Sequence, residues 1–135
     1  MSPLDISEKL QRHGIAPTPQ RVEIAEALFD KPQHLSADQI LDILRRKGSR
    51  VSKATVYNTL HLFGARGLAR ELVVDASRTF YDSTTHAHHH FYNVDSGLLS
   101  DIPAEQVQFQ NLPDLPAGTE QESVEVLIRI RGRQR

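Results

Sequence analysis

The chain predicts a mixed α+β fold, with its helices first and its strands after them. Three observations carry that prediction. Apolar residues recur at intervals of three and four as far as Phe63, the spacing that lines one face of a helix. Beyond Gly67, β-branched and aromatic residues gather in short runs that suit strands. The helical stretches also carry their own start and stop residues, so their boundaries are legible locally.

The first helix is expected over Ser2 to His13, with Leu4, Ile6 and Leu10 apolar and Gly14 as its stop. Thr18 before Pro19 sets a capping hydroxyl ahead of a proline in the first helical position. Val22, Ile24, Ala25, Leu28 and Phe29 then continue an apolar stripe to Lys31-Pro32. After a short loop that includes His34, Ser36 and Gln39 form an S-x-x-Q capping box for a third helix, in which Ile40, Ile43 and Leu44 repeat until Lys47-Gly48. Ser52 caps a fourth, Lys53 to Phe63, with Val56, Leu60 and Phe63 facing inward and Ala54, Tyr57, Asn58 and His61 outward. Leu68 to Val74 and Arg78 to Tyr81 make two strands around the turn Asp75-Ala76-Ser77. In a last strand Val124, Val126, Ile128 and Ile130 alternate with Glu125, Leu127, Arg129 and Arg131. Helices followed by a hairpin are the order of a winged helix, whose helical part is a helix-turn-helix.

At 135 residues the chain suits one ordinary domain or two small ones with modest cores, which makes a homo-oligomer plausible from size alone. No apolar run approaches a membrane span, and the opening MSPLDISEKL has charges where a signal peptide would be apolar, so a cytoplasmic protein with no membrane partner is expected. The absence of cysteine excludes disulfides, thiol redox chemistry, Cys-rich zinc sites and iron–sulfur clusters. The net charge of −1 hides an asymmetry. Met1 to Arg70 holds 11 Lys and Arg against 7 Asp and Glu, and Glu71 to Arg135 holds 5 against 10.

That basic first half bears on the fourth helix. In a winged helix the second helix of the helix-turn-helix enters the DNA major groove, where base edges present distinct donor and acceptor patterns. Ser52, Lys53 and Thr55 suit phosphates or base edges, Tyr57 a thymine methyl, and Asn58 an adenine edge or phosphate. Arg12 and Arg21 add candidate phosphate contacts. A polar outer face is equally what a solvated helix has, and winged helices also serve as protein-contact modules.

Seven histidines, four of them in the run His86-Ala87-His88-His89-His90, are the other notable feature. His34, Asp82, His88, His90 and Asp101 offer imidazole nitrogen and carboxylate oxygen, a donor set for zinc, iron, nickel or manganese. On a strand His86, His88 and His90 share one face and His89 the other, so a single metal takes part of the run. Two or three histidines with a carboxylate also describe a hydrolase or non-haem oxygenase. Against an enzyme stand the short chain and the lack of an obvious nucleophile or oxyanion element. A metal-buffering protein that never reads DNA, or a His-rich linker without a ligand role, are the remaining readings.

Ser52-Lys53-Ala54-Thr55-Val56-Tyr57-Asn58-Thr59-Leu60, with Leu62 and Gly67-Leu68, resembles the recognition-helix signature of the ferric uptake regulator superfamily of metal-dependent bacterial repressors. Pro17-Thr18-Pro19-Gln20-Arg21 is similar to that family's T-x-x-R helix opening, and His34-Leu35-Ser36-Ala37-Asp38 to its H-x-[ST]-A-[ED] segment. The resemblance implies a winged-helix DNA-binding domain over residues 1–83 and a small α/β dimerisation and metal-binding domain over 84–135. It implies one regulatory divalent metal per subunit, held as in the peroxide regulators by His34, Asp82, His88, His90 and Asp101. Fe²⁺ or Mn²⁺ would serve in the cell, and Zn²⁺ would also be accepted and could be the ion found in a crystal. The partners implied are double-stranded DNA, as an AT-rich palindrome, and a second copy of the chain.

Departures from the family pattern matter as much. Asn93 and Ser96 stand where the first cysteine pair of a structural zinc site would fall, so no four-cysteine structural zinc is expected and the C-terminal strand must take over its stapling role, building the dimer sheet. Asn58 replaces the arginine of many members, as in the peroxide and iron-response branches. A second metal site known in the superfamily is expected to be absent or degraded, since Ala87 takes one of its places and the strand from Glu122 to Arg135 has no histidine. The missing cysteines, the histidine run and Leu112-Pro113-Asp114-Leu115-Pro116 look most like the iron response regulators, in which the run, here His86, His88, His89 and His90, is associated with haem as an alternative ligand.

Overall fold

The computed structural model describes residues 3–84 and 88–134. Ser2, His86 and Ala87, which figure in the sequence pattern, lie outside the described residues. The chain divides into two compact units, Met1–Thr85 and His86–Arg135.

The first unit opens on α1 (Pro3–Arg12) and α2 (Pro19–Phe29). Between them, Gly14 takes φ +71°, and a Cβ there would meet Arg66 Nη1 at 2.7 Å. That nitrogen donates to the Gly14 carbonyl at 2.9 Å, so a side chain at Gly14 would displace the Arg66 guanidinium and would also be strained by the positive φ. Thr18 Oγ1 caps α2 by accepting from the Arg21 N–H at 3.3 Å. The loop expected around His34 is instead a strand, β1 (His34–Ser36). At three residues it is too short to show a period, and its pairing partner lies far along the chain. Ser36 then caps α3 (Ala37–Arg46) in a complete capping box with Gln39.

Ser52 caps α4 (Lys53–Ala65), which runs two residues beyond Phe63. Its end is closed by Gly67 at φ +73°, with the Leu68 N–H reaching back to the Phe63 carbonyl at 2.9 Å. These closing bonds occupy Leu68 and Ala69, so β2 (Arg70–Asp75) starts two residues later than its apolar content suggests. It pairs antiparallel with β3 (Arg78–Asp82), giving the sheet order β1-β3-β2. Val56, Leu60 and Phe63 of α4 are fully buried as expected, in a core with Ile6, Leu10, Ile24, Leu28, Ile40 and Leu44. Each helix contributes its apolar stripe, and the hairpin extends beside them as the wing.

The second unit is a three-stranded sheet in the order β5-β4-β6, built from β4 (His89–Asn93), β5 (Leu98–Ile102) and β6 (Leu127–Ile130). A 3₁₀ turn, Ala104–Gln106, is its helical element among the described residues. β5 pairs antiparallel and β6 parallel with β4. Of its apolar side chains Tyr92 and Ile102 are buried, while Leu98, Phe109, Leu112, Leu115, Ile128 and Ile130 are exposed. No described helix is long and apolar enough to cross a membrane.

Candidate metal centre and nucleic-acid interface

Two His–Asp pairs arise from strand register, one in each unit. His34 and Asp82 are partners across the β1–β3 ladder, where opposite residues bring their Cβ atoms into contact range. His34 Nε2 lies 3.2 Å from Asp82 Oδ2, and both side chains are largely buried. The other oxygen, Asp82 Oδ1, accepts from the Thr84 N–H at 2.8 Å, which fixes the carboxylate with Oδ2 toward the imidazole. Gln33 and Ser83 tie the strand ends together, the Gln33 N–H donating to Ser83 Oγ and the Ser83 N–H to the Gln33 carbonyl, each at 3.2 Å.

In the second unit His90 and Asp101 are partners across the β4–β5 ladder. His88 Nε2 lies 2.9 Å and His90 Nε2 3.3 Å from the same oxygen, Asp101 Oδ1. The two rings are 4.3 Å apart. His90 is fully buried, whereas Asp101 is exposed, so this group of donors is rigid on the histidine side and open on the carboxylate side. Both sets offer imidazole nitrogen and carboxylate oxygen without thiolate, and that donor chemistry fits a first-row divalent cation such as Fe²⁺, Mn²⁺ or Zn²⁺. His89 points the other way. Its Nδ1 accepts from the Val126 N–H at 2.9 Å, and its ring meets Phe109 edge-on at 5.8 Å. It pins the start of β6, a role hidden from the sequence because its partner is 37 residues away.

The β6 staple has further bonds, from the His90 N–H to the Val126 carbonyl and from the Gly132 N–H to Asp95 Oδ2. Strand pairing thus ties the C-terminal segment to β4 in a chain that has no cysteine.

The outer face of α4 sorts the candidate DNA contacts into groups. Arg21, Thr55 and Asn58 line one polar cleft with Thr18, Gln20 and Thr59, of about 330 Å³. The Arg21 guanidinium donates to the Ala16 carbonyl at 3.1 Å, which holds it beside the N-terminus of α2. Lys53 and Tyr57 instead converge on Asp38 of α3, a residue that the sequence presents only as part of a motif. Ser52 is engaged as the cap, accepting from the Thr55 N–H at 3.1 Å and donating to Thr55 Oγ1 at 2.9 Å. Arg12 ends α1 with its guanidinium 3.8 Å from Glu8.

Comparison with known proteins accords with this architecture. The model of the ferric uptake regulator family matches residues 12–126. The chain is 34% identical to the peroxide-responsive repressor PerR of Staphylococcus epidermidis over 93 residues, which is 69% of the chain and 62% of that protein. It is 36% identical to the peroxide operon regulator of Bacillus subtilis over 95 residues, covering 70% and 66% of the two chains. The matched region thus spans somewhat less than two thirds of the length of these relatives. Among solved structures, the ferric uptake regulator of Pseudomonas aeruginosa with manganese aligns with TM-score 0.70 and 23% identity, covering 95% of this chain and 98% of that one. The Vibrio cholerae ferric uptake regulator aligns with TM-score 0.74 and 21% identity, covering 93% and 98%. The fold is therefore theirs, and by the family match over most of its length the chain belongs to the ferric uptake regulator family.

Proposed function

We propose that the protein is a metal-dependent, homodimeric DNA-binding regulator, a repressor of iron-homeostasis or oxidative-stress genes, and that it is not an enzyme. The observation that carries this reading is the presence of one His–Asp pair in each unit, His34–Asp82 and His90–Asp101, each formed by strand register, with His88 beside the second. Residues 1–83 serve as the DNA-binding domain and 84–135 as the dimerisation and metal-binding domain. The five side chains together hold one divalent cation. A bound cation would supply a positive centre that offsets the charge of Asp82 and Asp101.

Because the two donor sets belong to different units, holding one cation with all five donors requires a single arrangement of the units. Binding free energy is realised in that arrangement alone, so metal selects it from the ensemble. His34 and Asp82 contribute from a ladder that also carries the wing, and His88, His90 and Asp101 from the sheet of the second unit. The apolar residues exposed on that small unit, Ile128 and Ile130 among them, suit burial against a second copy, since two buried apolar side chains among the described residues make a small core for an independent domain. A symmetric dimer presents two α4 helices, hence a palindromic operator, AT-rich as the family resemblance implies. Tyr57 and Asn58 provide base contacts, while Arg12, Arg21, Ser52, Lys53 and Thr55 provide phosphate contacts, with Arg21 and Thr55 lining the polar cleft.

Metal is favoured over haem as the ligand because His89 already accepts from Val126 while His88 and His90 face Asp101. The reading is tested by fluorescence anisotropy on an AT-rich palindrome with metal-free protein, with Mn²⁺ added, and with a His88→Ala, Asp101→Ala double variant. Metal-dependent binding that the double variant loses is expected. Binding that ignores metal, or none in any metal state, would overturn it, and haem added to the same assay shows whether haem replaces metal as the signal.

A further inference from the structure

Asp38 gathers two of the candidate DNA contacts of α4, Lys53 and Tyr57, around one oxygen. Lys53 Nζ lies 3.4 Å from Asp38 Oδ1, and the Tyr57 hydroxyl donates to the same atom at 3.3 Å. The ammonium also sits 5.6 Å from the Tyr57 ring centroid, so the three side chains form a closed set spanning α3 and α4. All three are exposed, Lys53 and Tyr57 on α4 and Asp38 on α3 beside them. An exposed ion pair contributes little to folding, so the consequence of this arrangement lies in what the surface offers a ligand.

We propose that Asp38 is a specificity-determining positioning residue, an acidic latch that competes with phosphate for Lys53, so that this contact forms only in part, and that holds Tyr57 in place for base contact. The inference rests on the DNA-binding reading above. Two physical effects operate together. The carboxylate neutralises one cation and repels nearby phosphate, which weakens the sequence-independent part of DNA affinity. The hydroxyl bond restrains the Tyr57 side chain before DNA arrives, so less rotamer freedom is lost when its ring meets a base edge. Nonspecific affinity falls while specific affinity is largely retained, and their ratio rises.

The test measures affinity for the operator and for a random duplex of equal length over a range of salt, using full-length Asp38→Asn, Asp38→Ala and Tyr57→Phe. Asp38→Asn removes the charge and keeps an acceptor for Tyr57. It should bind random DNA about 3- to 10-fold more tightly, with a log–log salt slope steeper by about 0.9, the increment of one further phosphate contact. Operator affinity should change less, so discrimination falls. Asp38→Ala also removes the acceptor and should discriminate less still. Tyr57→Phe breaks the hydroxyl bond while keeping the ring, and should weaken operator binding about 2- to 10-fold, the range for freeing one side chain, with random binding unchanged.

Asp38 also lies in the first turn of α3, where an acidic residue complements the helix dipole. A lower melting temperature with unchanged salt slope and unchanged discrimination would reduce Asp38 to that structural role and overturn the proposal. Discrimination kept by every variant would overturn the latch alone. Wild-type protein that binds both duplexes alike would overturn the functional reading itself, and the latch with it.

Discussion

His89 and His90 are neighbours in sequence with opposite roles, and a single substitution type separates them. Leucine approximates the volume of histidine while removing every nitrogen, so His90→Leu and His89→Leu delete donors and acceptors with little cavity formation. His90 Nε2 lies 3.3 Å from Asp101 Oδ1. Structural zinc sites of four ligands bind with apparent free energies of about 10–16 kcal/mol, or about 2.5–4 kcal/mol per ligand. His90→Leu should therefore raise the Kd about 10²- to 10³-fold. Asp101 is exposed, so it can rehydrate when its partner is lost, and the effect should fall on metal affinity more than on the fold. His89→Leu should leave metal affinity within about threefold, since that ring faces Phe109 and Val126. It deprives the Val126 N–H of its acceptor, a loss of about 1–3 kcal/mol for a buried donor and nearer 1 here because Val126 is half-buried. Zn²⁺ competition against a chromophoric chelator reads the first effect, and melting of metal-free protein reads the second. Equal loss of metal affinity in the two variants would refute the reasoning, because it would mean that the run binds without regard to the faces of β4.

Two further outcomes follow from the first unit. Leu60 is fully buried at the centre of the helical core, so Leu60→Ala should destabilise that unit by about 2–5 kcal/mol in chemical denaturation. A change below about 1 kcal/mol would contradict the packing. Tyr81 is buried on β3 opposite Glu71. Burial first, then the Glu71 carboxylate and Tyr57, raise its phenol above the ordinary 10.0. The folded state holds that proton to higher pH than the unfolded state does. The stabilisation is complete below pH 10 and is lost as pH rises through the folded value, a decline that Tyr81→Phe should lessen in melts taken from about pH 9 to 12.

Much of the helical unit was legible because its signals are local. Thr18, Ser36 and Ser52 cap the helices they precede, and Gly67 closes α4 with a positive φ. The inward and outward faces of α4 also followed from spacing alone. The five candidate metal ligands could be named from residue type and family resemblance. Their pairing could not be derived from composition or period, since β1 is three residues long and its ladder joins His34 to Asp82 across 48 positions. The contact residues of α4 are legible in the sequence one by one, but Asp38, the common partner of Lys53 and Tyr57, sits on another helix 19 residues from Tyr57.

The sequence by itself determined the helices, their caps and core faces, the donor chemistry of the histidines and carboxylates, and the family signature on α4. These depend on neighbours within a few positions or on residue identity. Tertiary structure alone decided which histidine faces which partner. Strand register sets His34 against Asp82 and His90 against Asp101, turns His89 toward β6, and packing of α3 against α4 brings Asp38 to Lys53 and Tyr57. The physical reason is that register and packing are long-range properties. A shift of one residue along a strand would reverse every side chain in it, and the residues of a single strand do not record which register its distant partner will take.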